Sequence, residues 1–390
     1  MTCGLEYTRT PSRLSFRAPP KGERGIAEAR KGEVELSRHG PASRIPHSSL
    51  QMNRPDLVLV TGATGFIGSH LCRALAAEGR HVRALHRRTS SLQALDGVAV
   101  DLRVGDILDP ASLEPALRGV SLVFHAAAQS AYWRRPHDVL QAAVDGTRNV
   151  VEAARRAGVQ RVVLTSSVAA LGVPAPDGLL DESHFFNLPQ ERFLYGYSKS
   201  RSEEAARRAA GSDLELVIVN PSIVLGAGDI NRISGSIILE SARGRAFAYT
   251  DGGANYVHID DVTAGHLAAA ARGRPGERYI LGGQNLTHRQ ALTEVARIVG
   301  RRPPWLRIPN GLIPLLAASL DLVGRVVATP LNGSQLRMSR HRLWVDTSKS
   351  HRELGLATPK SFSLAAQEAY DWYRAEGVIQ DLKGQQGPVG

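Results

Sequence analysis

The chain has 390 residues, of which 43% are hydrophobic and 22% charged, proportions typical of a globular protein rather than a disordered one. Its two cysteines, Cys3 and Cys72, are too few for a disulfide framework or a zinc site, so we expect a reducing compartment, the cytoplasm, and no bound metal. The net charge of +11 comes from arginines scattered along the chain without a basic tract, which argues against nucleic-acid binding.

The first 52 residues differ from the rest of the chain. They contain nine Arg or Lys and five Glu, and no apolar period is sustained. The segment lacks the apolar core of a secretory signal, and its five acids argue against a transit peptide. Two interpretations stay open: a disordered extension, or a start codon assigned too early, with Met52 as the natural start.

From Asp56 onward, short apolar runs alternate with longer amphipathic stretches. This alternation predicts strands over 57–60, 81–85, 98–104, 121–125, 160–164 and 214–219, and helices over 66–78, 113–117, 139–157 and 195–210. The strands are continuous Val/Ile/Leu runs, as expected when helices cover both faces of a parallel sheet. The sequence therefore predicts an α/β fold with a Rossmann-type doubly wound parallel sheet.

Beyond Pro221 the pattern is less regular and predicts a smaller C-terminal substrate-binding lobe. The predicted elements there are a helix over 256–270, a strand over 278–281, helices over 287–299 and 363–376, and mixed structure over 301–346. We expect a nucleotide-binding domain over 53–225 with a return segment near 255–270, a lobe over 226–375 and a tail over 376–390.

The longest weakly charged apolar stretch runs from Gly311 to Ala328 and is interrupted by Asp321 and Arg325. It is too short and too polar for a membrane span, so we predict none. It could instead lie on a membrane surface, but it lacks the lysine- and arginine-rich face of such helices.

A glycine-rich turn, Thr61-Gly-Ala-Thr-Gly-Phe-Ile-Gly68, follows the first predicted strand and opens the first predicted helix. Gly62 permits a tight turn, Gly65 lets backbone approach a pyrophosphate, and Gly68 allows close packing of helix on strand. The helix amino end then presents free N–H groups to phosphates. The position of the turn predicts a dinucleotide site.

The ends of the following strands also carry candidate cofactor residues. The second strand ends at Arg87, where an NAD site would have an acid, so NADP(H) is favoured and NAD(H) stays possible. Asp106 and Ile107 follow the third strand and either reach the adenine or close a turn. Ala126, Ala127 and Ala128 follow the fourth strand and are small enough for a dinucleotide to cross the sheet edge.

Tyr195 and Lys199 are predicted to lie on one face of a helix, four residues apart. A neighbouring ammonium favours the phenolate and so lowers the pKa of a tyrosine toward useful acid/base chemistry. Lys199 is the only lysine between Lys31 and Lys349 in an arginine-rich chain. Ser167, at the end of the fifth strand, is our candidate for binding the reacting oxygen, although hydroxyls at such ends also cap turns.

Residues 55–375 resemble the extended short-chain dehydrogenase/reductase family. The matching motifs are the glycine turn, Thr165-Ser-Ser167, Tyr195-x-x-x-Lys199 and Asn220-Pro-Ser222. Within the family the chain is most similar to the dihydroflavonol 4-reductase, 3β-hydroxysteroid dehydrogenase and hopanoid-associated epimerase-like branch. The resemblance implies a catalytic group of Ser167, Tyr195 and Lys199, and a homodimer formed through the helices over 139–157 and 195–210. It implies a cofactor site formed by Gly62, Thr64, Gly65, Phe66, Ile67, Gly68, Arg87, Asp106, Ile107, Ala126, Ala127, Ala128, Tyr195, Lys199, Pro221 and Ser222.

Three functions follow from this reading. The first is an NAD(P)-dependent oxidoreductase acting on a carbonyl or secondary alcohol of a small apolar substrate, suggested by the apolar stretch around Trp305. The second is a nucleotide-sugar epimerase or dehydratase with retained NAD, which would need basic residues such as Arg232 and Arg278 for a diphosphate. The third, a non-enzymatic nucleotide sensor, does not explain an intact catalytic group.

Overall fold

The computed structural model describes residues 57–128, 136–232, 234–323 and 333–379. The predicted extension over 1–52, residues 53–56 of the predicted nucleotide-binding domain, the end of the 311–328 stretch and most of the predicted tail lie outside these ranges. The first half contains β1 (Leu57–Thr61), α1 (Phe66–Ala77), β2 (His81–His86), β3 (Asp101–Val104), α2 (Pro110–Leu117), β4 (Leu122–His125), α3 (Pro136–Arg156), β5 (Arg161–Thr165), α4 (Leu194–Ala210) and β6 (Glu215–Pro221).

The second half is built from shorter elements. They are β7 (Ile223–Leu225), α5 (Ser236–Ala242), β8 (Ala248–Tyr249), β9 (Gly253–His258), α6 (Ile259–Arg272), β10 (Arg278–Leu281), β11 (Gln284–Thr287), α7 (His288–Ile298), β12 (Leu306–Arg307), α8 (Ile313–Val323), α9 (Gly333–Met338), β13 (Arg342–Leu343), α10 (Ser348–Leu354) and α11 (Phe362–Ala375). Short 3-10 turns lie at 93–95, 168–171 and 190–192.

The main sheet has seven parallel strands in the order β10-β6-β5-β4-β1-β2-β3. Two separate hydrophobic clusters cover its two faces, one including Leu71 and Leu75 of α1 with Ala269 of α6, the other including Val150 of α3 and Ala206 of α4. The central strands β1, β4, β5 and β6 are buried on both sides, which explains their unbroken apolar runs, whereas the edge strand β3 is largely exposed. The predicted doubly wound α/β sheet is confirmed.

The chain order reverses between β1 and β4, which are neighbours in the sheet. In open parallel sheets, the carboxyl ends of the strands on either side of such a reversal form a crevice that binds ligands. β1 ends at Thr61 and β4 at His125, so the glycine turn and the three alanines face each other across this crevice.

The remaining strands form small sheets. β9 lies between β11 and β13 and also pairs with β7, while β8 pairs with β12. A third hydrophobic cluster, which includes Tyr256 of β9 and Phe362 of α11 at a ring separation of 4.9 Å, packs these strands against α5, α7 and α11. Among the described helices, none is both long enough and apolar enough to cross a membrane.

Two sequence predictions were wrong in detail. Residues 256–258 belong to strand β9, because Tyr256 to His258 pair in parallel with Ile223 to Leu225 of β7, and the helix begins only at Ile259. The third strand begins at Asp101 rather than Val98, where the register with β2 starts.

Candidate active site

The glycine turn has the shape that the sequence predicts. Gly62 has a φ of +67°, a conformation that favours glycine, and the Gly65 amide donates to the Gly62 carbonyl at 2.9 Å. A Cβ on Gly62 would lie 2.7 Å from the backbone of Ala127, and one on Gly68 would collide with the Gly62 carbonyl. No side chain caps the amino end of α1 at Gly65, so its first N–H groups face the crevice without a side-chain acceptor.

Replacement of Gly62 by alanine is expected to weaken dinucleotide binding by about tenfold or more, because the clash with Ala127 forces apart the two sides of the crevice. The left-handed backbone adds a stability cost of about 1–2 kcal/mol. Gly79→Ala is the matched control, since Gly79 has a φ of +75° but open space around it. Titration of both variants with NADPH, followed by tryptophan fluorescence, separates the clash from the strain; equal affinities would contradict the prediction.

A buried polar chain that the sequence did not reveal ties the ends of β1 and β4 to the helices. Both ring nitrogens of His125 form hydrogen bonds, one with Thr61 Oγ1 at 2.7 Å and the other with Thr147 Oγ1 at 3.1 Å. The Thr147 hydroxyl in turn bonds the Ser202 hydroxyl at 2.8 Å. Burial and the nearby Lys199 charge lower the pKa of His125 to about 3, so the ring is neutral. This chain fixes the floor of the crevice.

The other predicted cofactor residues lie along the same edge of the sheet. Arg87 is exposed directly after β2. The carboxylate of Asp106 accepts from the Leu108 amide at 3.0 Å, which shows that it closes the turn after β3. Ile107 packs against Gly146 of α3, where an added Cβ would lie 2.5 Å from its Cδ1. These residues therefore flank the crevice on the side of β2 and β3.

Tyr195 and Lys199 lie one turn apart at the start of α4. Lys199 is only 7% exposed, and its Nζ donates to the carbonyl of Thr165, the last residue of β5, at 3.1 Å. Burial lowers the pKa of Lys199 to about 8, while the charge of Glu203 acts in the opposite direction. The ring of Phe193 meets that of Tyr195 edge-on at 6.3 Å. The lysine thus anchors α4 to the carboxyl edge of the sheet.

The three hydroxyls that follow β5 have different partners. Thr165 bonds the ring of His266 at 2.9 Å and Ser166 donates to Glu203 at 2.6 Å, and both side chains are buried. Ser167 is half-buried, and its Oγ accepts from the Ala169 amide at 3.2 Å, which leaves its own proton for donation. Ser167 caps the next turn, and it is also the hydroxyl of the three that stays accessible.

Contacts between α4 and the turn after β5 bring the Tyr195 and Ser167 regions together. A Cβ on Gly196 would lie 2.5 Å from the carbonyl oxygen of Ala169, so only glycine permits this approach. The Lys199 bond to Thr165 holds the next turn of the helix against the strand end. The structure therefore assembles the start of α4 and residues 165–169 at one edge of the sheet.

Glu203, a second feature that the sequence did not reveal, lies one turn beyond Lys199 and is 2% exposed. Its carboxylate accepts from Ser166 Oγ at 2.6 Å, from Asn220 Nδ2 at 2.7 Å and from Arg278 Nη1 at 3.3 Å. Arg278 also donates to the carbonyls of Glu182 and His184. The prediction that Arg278 is available to a substrate diphosphate is wrong, because its guanidinium is buried and fully engaged.

The residues at the end of β6 fit a nicotinamide group. Asn220 Nδ2 donates to the Ser167 carbonyl at 2.9 Å, yet Asn220 Oδ1 and Ser222 Oγ are buried and have no hydrogen-bond partner in the described structure. Buried polar atoms normally have partners. Together with the amino end of α1, which no side chain caps, these two unpartnered atoms indicate that the crevice accommodates a dinucleotide ending near β6.

Comparison with known proteins supports this interpretation. The family model described as NAD dependent epimerase/dehydratase family matches residues 58–282. A putative dihydroflavonol 4-reductase of Synechocystis is 36% identical over 338 residues, covering 83% of this chain and 96% of that protein. Sterol demethylase protein B of Methylococcus capsulatus is 38% identical, covering 82% of this chain and 99% of that protein. The solved structure of a nucleoside-diphosphate-sugar epimerase from Pseudomonas aeruginosa is 29% identical with a TM-score of 0.71, covering 83% and 99% of the two chains.

Proposed function

Since the chain belongs to the NAD-dependent epimerase/dehydratase family, we propose that it is an NAD(P)-dependent oxidoreductase acting on a carbonyl or secondary alcohol of an apolar substrate. One observation carries the proposal: Lys199, one turn from Tyr195, is anchored to the end of β5, beside a crevice with the glycine turn of a dinucleotide site. Two relatives that the chain matches over nearly their full length are named a putative dihydroflavonol 4-reductase and sterol demethylase protein B.

The residues of the chain have separate roles in this chemistry. When bound, the nicotinamide cofactor supplies the hydride transfer. Tyr195 exchanges a proton between its phenolic oxygen and the substrate oxygen, and the positive charge of Lys199 favours its phenolate form. Ser167 donates to the same substrate oxygen and stabilises its developing charge. Glu203 and Asn220 act indirectly, because Glu203 holds the Ser166 side chain and Asn220 holds the Ser167 carbonyl in place.

The surroundings of Tyr195 favour an apolar substrate over a charged one. The ring of Phe193 packs against Tyr195, and that of Phe186 packs against Tyr197, two residues along the same helix. Arg278, one of the two arginines that the sequence offered for a nucleotide diphosphate, is buried in an ion pair with Glu203. A binding site lined by aromatic side chains with few polar groups suits flavonoid-, sterol- or lipid-like molecules.

A substrate panel tests the proposed function. The purified protein is incubated with NADPH or NADH and flavonoid, sterol, simple ketone or UDP-sugar substrates, and the absorbance of the reduced nicotinamide is followed. Net oxidation of the coenzyme with an apolar ketone is the expected result. Interconversion of UDP-sugars without net oxidation would show instead that the chain is an epimerase.

We further propose that NADP(H) is preferred, because exposed Arg87 follows β2 where a 2′-phosphate would lie. Arg87→Glu is expected to raise the KM for NADPH by about ten- to a hundredfold while leaving the KM for NADH nearly unchanged, since charge-assisted hydrogen bonds contribute about 1.5–3 kcal/mol. Arg118→Glu is the control, since Arg118 is an exposed arginine directly after α2. Initial rates with NADPH and NADH give the KM values of both variants. If the two substitutions changed the KM for NADPH equally, the assignment of Arg87 to the 2′-phosphate would be refuted.

Three further sequence predictions are retained as proposals. They are the division into a nucleotide-binding domain over 53–225 and a substrate lobe over 226–375, a homodimer formed through α3 and α4, and residence in the cytoplasm. Light scattering on the purified protein tests the dimer.

A further inference from the structure

The segment that follows α7, together with Phe247 directly before β8, exposes large apolar side chains that a core would normally bury. We define the apolar tip as six side chains with exposed fractions of 40–74%: Phe247, Trp305, Leu312, Leu315, Leu316 and Leu322. The rings of Phe247 and Trp305 stack at 6.3 Å, and Trp305 is the most exposed of the six at 74%. A group of large exposed apolar side chains of this kind indicates an interaction site.

Helix α8 is apolar on two faces. Ile313 and Ala317 are buried against Leu336 of α9, which accounts for one face. Leu315, Leu316 and Leu322 recur at helical spacing on another face and are exposed. The hydroxyl of Ser319, which lies between them, donates to the Leu315 carbonyl at 3.1 Å and so needs no water. The exposed face is therefore suited to an apolar environment.

Hydrogen bonds join the two parts of the apolar tip to each other and to the candidate active site. Thr250, directly after β8, donates to the Ser339 carbonyl after α9 at 2.6 Å, which links the Phe247 segment to the α8–α9 pair. At the other end of α9, Ser334 donates to the Arg192 carbonyl at 2.6 Å, three residues before Tyr195. The tip is therefore connected, through α9, to the segment that leads into Tyr195.

The segment around Trp305 adds positive charge to the tip. Arg301, Arg302 and Arg307 flank Trp305 and are exposed. Arg307 is paired with Asp251, but no carboxylate in the described ranges forms an ion pair with Arg301 or Arg302. Helix α8 itself lacks a basic face. The arginines of the tip come from the segment around β12, which precedes α8.

We propose that the apolar tip docks on an anionic lipid membrane. Tryptophan and phenylalanine prefer the boundary between headgroups and acyl chains, leucines insert below it, and arginines bind anionic headgroups. The net charge of +11 favours the same surface. Docking would place the segment that leads into Tyr195 near the membrane, where an apolar substrate of the proposed function would be dissolved. The docking itself requires no activity.

The test is cosedimentation of the full chain with vesicles. Vesicles of equal parts phosphatidylcholine and phosphatidylglycerol are expected to bind the protein, and the contribution of Trp305 to the tryptophan fluorescence is expected to shift to the blue. Vesicles of pure phosphatidylcholine are expected to bind less protein. Added salt weakens the binding, because the arginine contribution is screened. Trp305→Ser, Leu315→Ser/Leu316→Ser and Arg301→Gln/Arg302→Gln are each expected to weaken partitioning by about tenfold. These side chains are exposed, and the arginine pair loses only the bond from Arg301 Nε to the Ala242 carbonyl at 3.1 Å, so the variants should melt close to the unmodified protein.

Leu102→Ser/Val104→Ser is the matched control, since both side chains are exposed on β3, the edge strand of the main sheet, outside the tip. Failure of the unmodified protein to bind anionic vesicles would overturn the proposal, as would equal losses in the control. Light scattering adds a second outcome: if Trp305→Ser converts a dimer to a monomer, the tip is an interface between copies. Each result stands whether or not the substrate panel shows reductase activity.

Discussion

Replacement of Tyr195 by phenylalanine is expected to lower kcat by about a thousandfold, because general acid/base catalysis contributes about 10²–10⁴ to turnover. The substitution removes only the phenolic oxygen, so the ring contact with Phe193 and the bond of Lys199 to Thr165 stay in place. Affinity for the coenzyme should therefore change little. Steady-state rates and a fluorescence titration with NADPH measure the two quantities on the same preparation.

Tyr197 provides the control for this prediction. It lies on the same helix, two residues further on, and its ring packs against Phe186 rather than toward Lys199. Tyr197→Phe should keep nearly full activity. If Tyr195→Phe retained more than about a tenth of the turnover, or if Tyr197→Phe lost as much, the proton transfer would have to be assigned to another group.

The parts of the fold and site that the sequence predicts well are local. The glycine turn is specified by Gly62, which alone can adopt a φ of +67° against Ala127, and by its position between an apolar strand and a helix. The spacing of Tyr195 and Lys199 is likewise fixed by one helix. Short apolar runs that alternate along the chain with amphipathic helices predict the parallel sheet, because strands covered on both faces must be apolar throughout.

The residues that the sequence did not reveal act over long distances in the chain. His125 joins Thr61 to Thr147, and Glu203 joins Ser166 to Arg278. In the sequence alone, His125 is an ordinary polar residue at a strand end and Glu203 an ordinary polar residue on a helix. Their burial becomes visible only when the sheet brings the strand ends together. The one local signal was their position, since His125 closes a strand and Glu203 follows Lys199 by a single turn.

The error at residues 256–258 has a different physical cause. Strand β9 runs directly into α6 without a turn residue between them. His258 closes the strand and caps the helix at once, because its Nδ1 accepts from the Asp260 amide at 3.0 Å. Histidine is not among the usual capping residues. The acids Asp260 and Asp261 in the first helical turn were the available signal for the boundary.

Glu203→Leu is expected to lower the free energy of unfolding by about 3–5 kcal/mol, the cost of leaving a buried charge without its partner. The guanidinium of Arg278 would lose its only carboxylate within ion-pair distance in the described structure, and burial already lowers its pKa. Ser166 and Asn220 would lose an acceptor as well. Urea unfolding followed by circular dichroism measures the loss.

The neighbouring residue Glu204 provides the control for Glu203→Leu. It pairs with Arg201 and Arg208 on the exposed face of α4, and such surface pairs contribute little, so Glu204→Leu should cost less than about 1 kcal/mol. Combining Glu203→Leu with Arg278→Met should cost less than the sum of the two single substitutions by about 1–3 kcal/mol, because the partners are coupled. Strict additivity would mean that Glu203 stabilises the site through its other partners, Ser166, Asn220 and Arg207, whose Nη1 donates to the Glu203 carboxylate at 3.3 Å. The arginine would then be held by the carbonyls of residues 182 and 184.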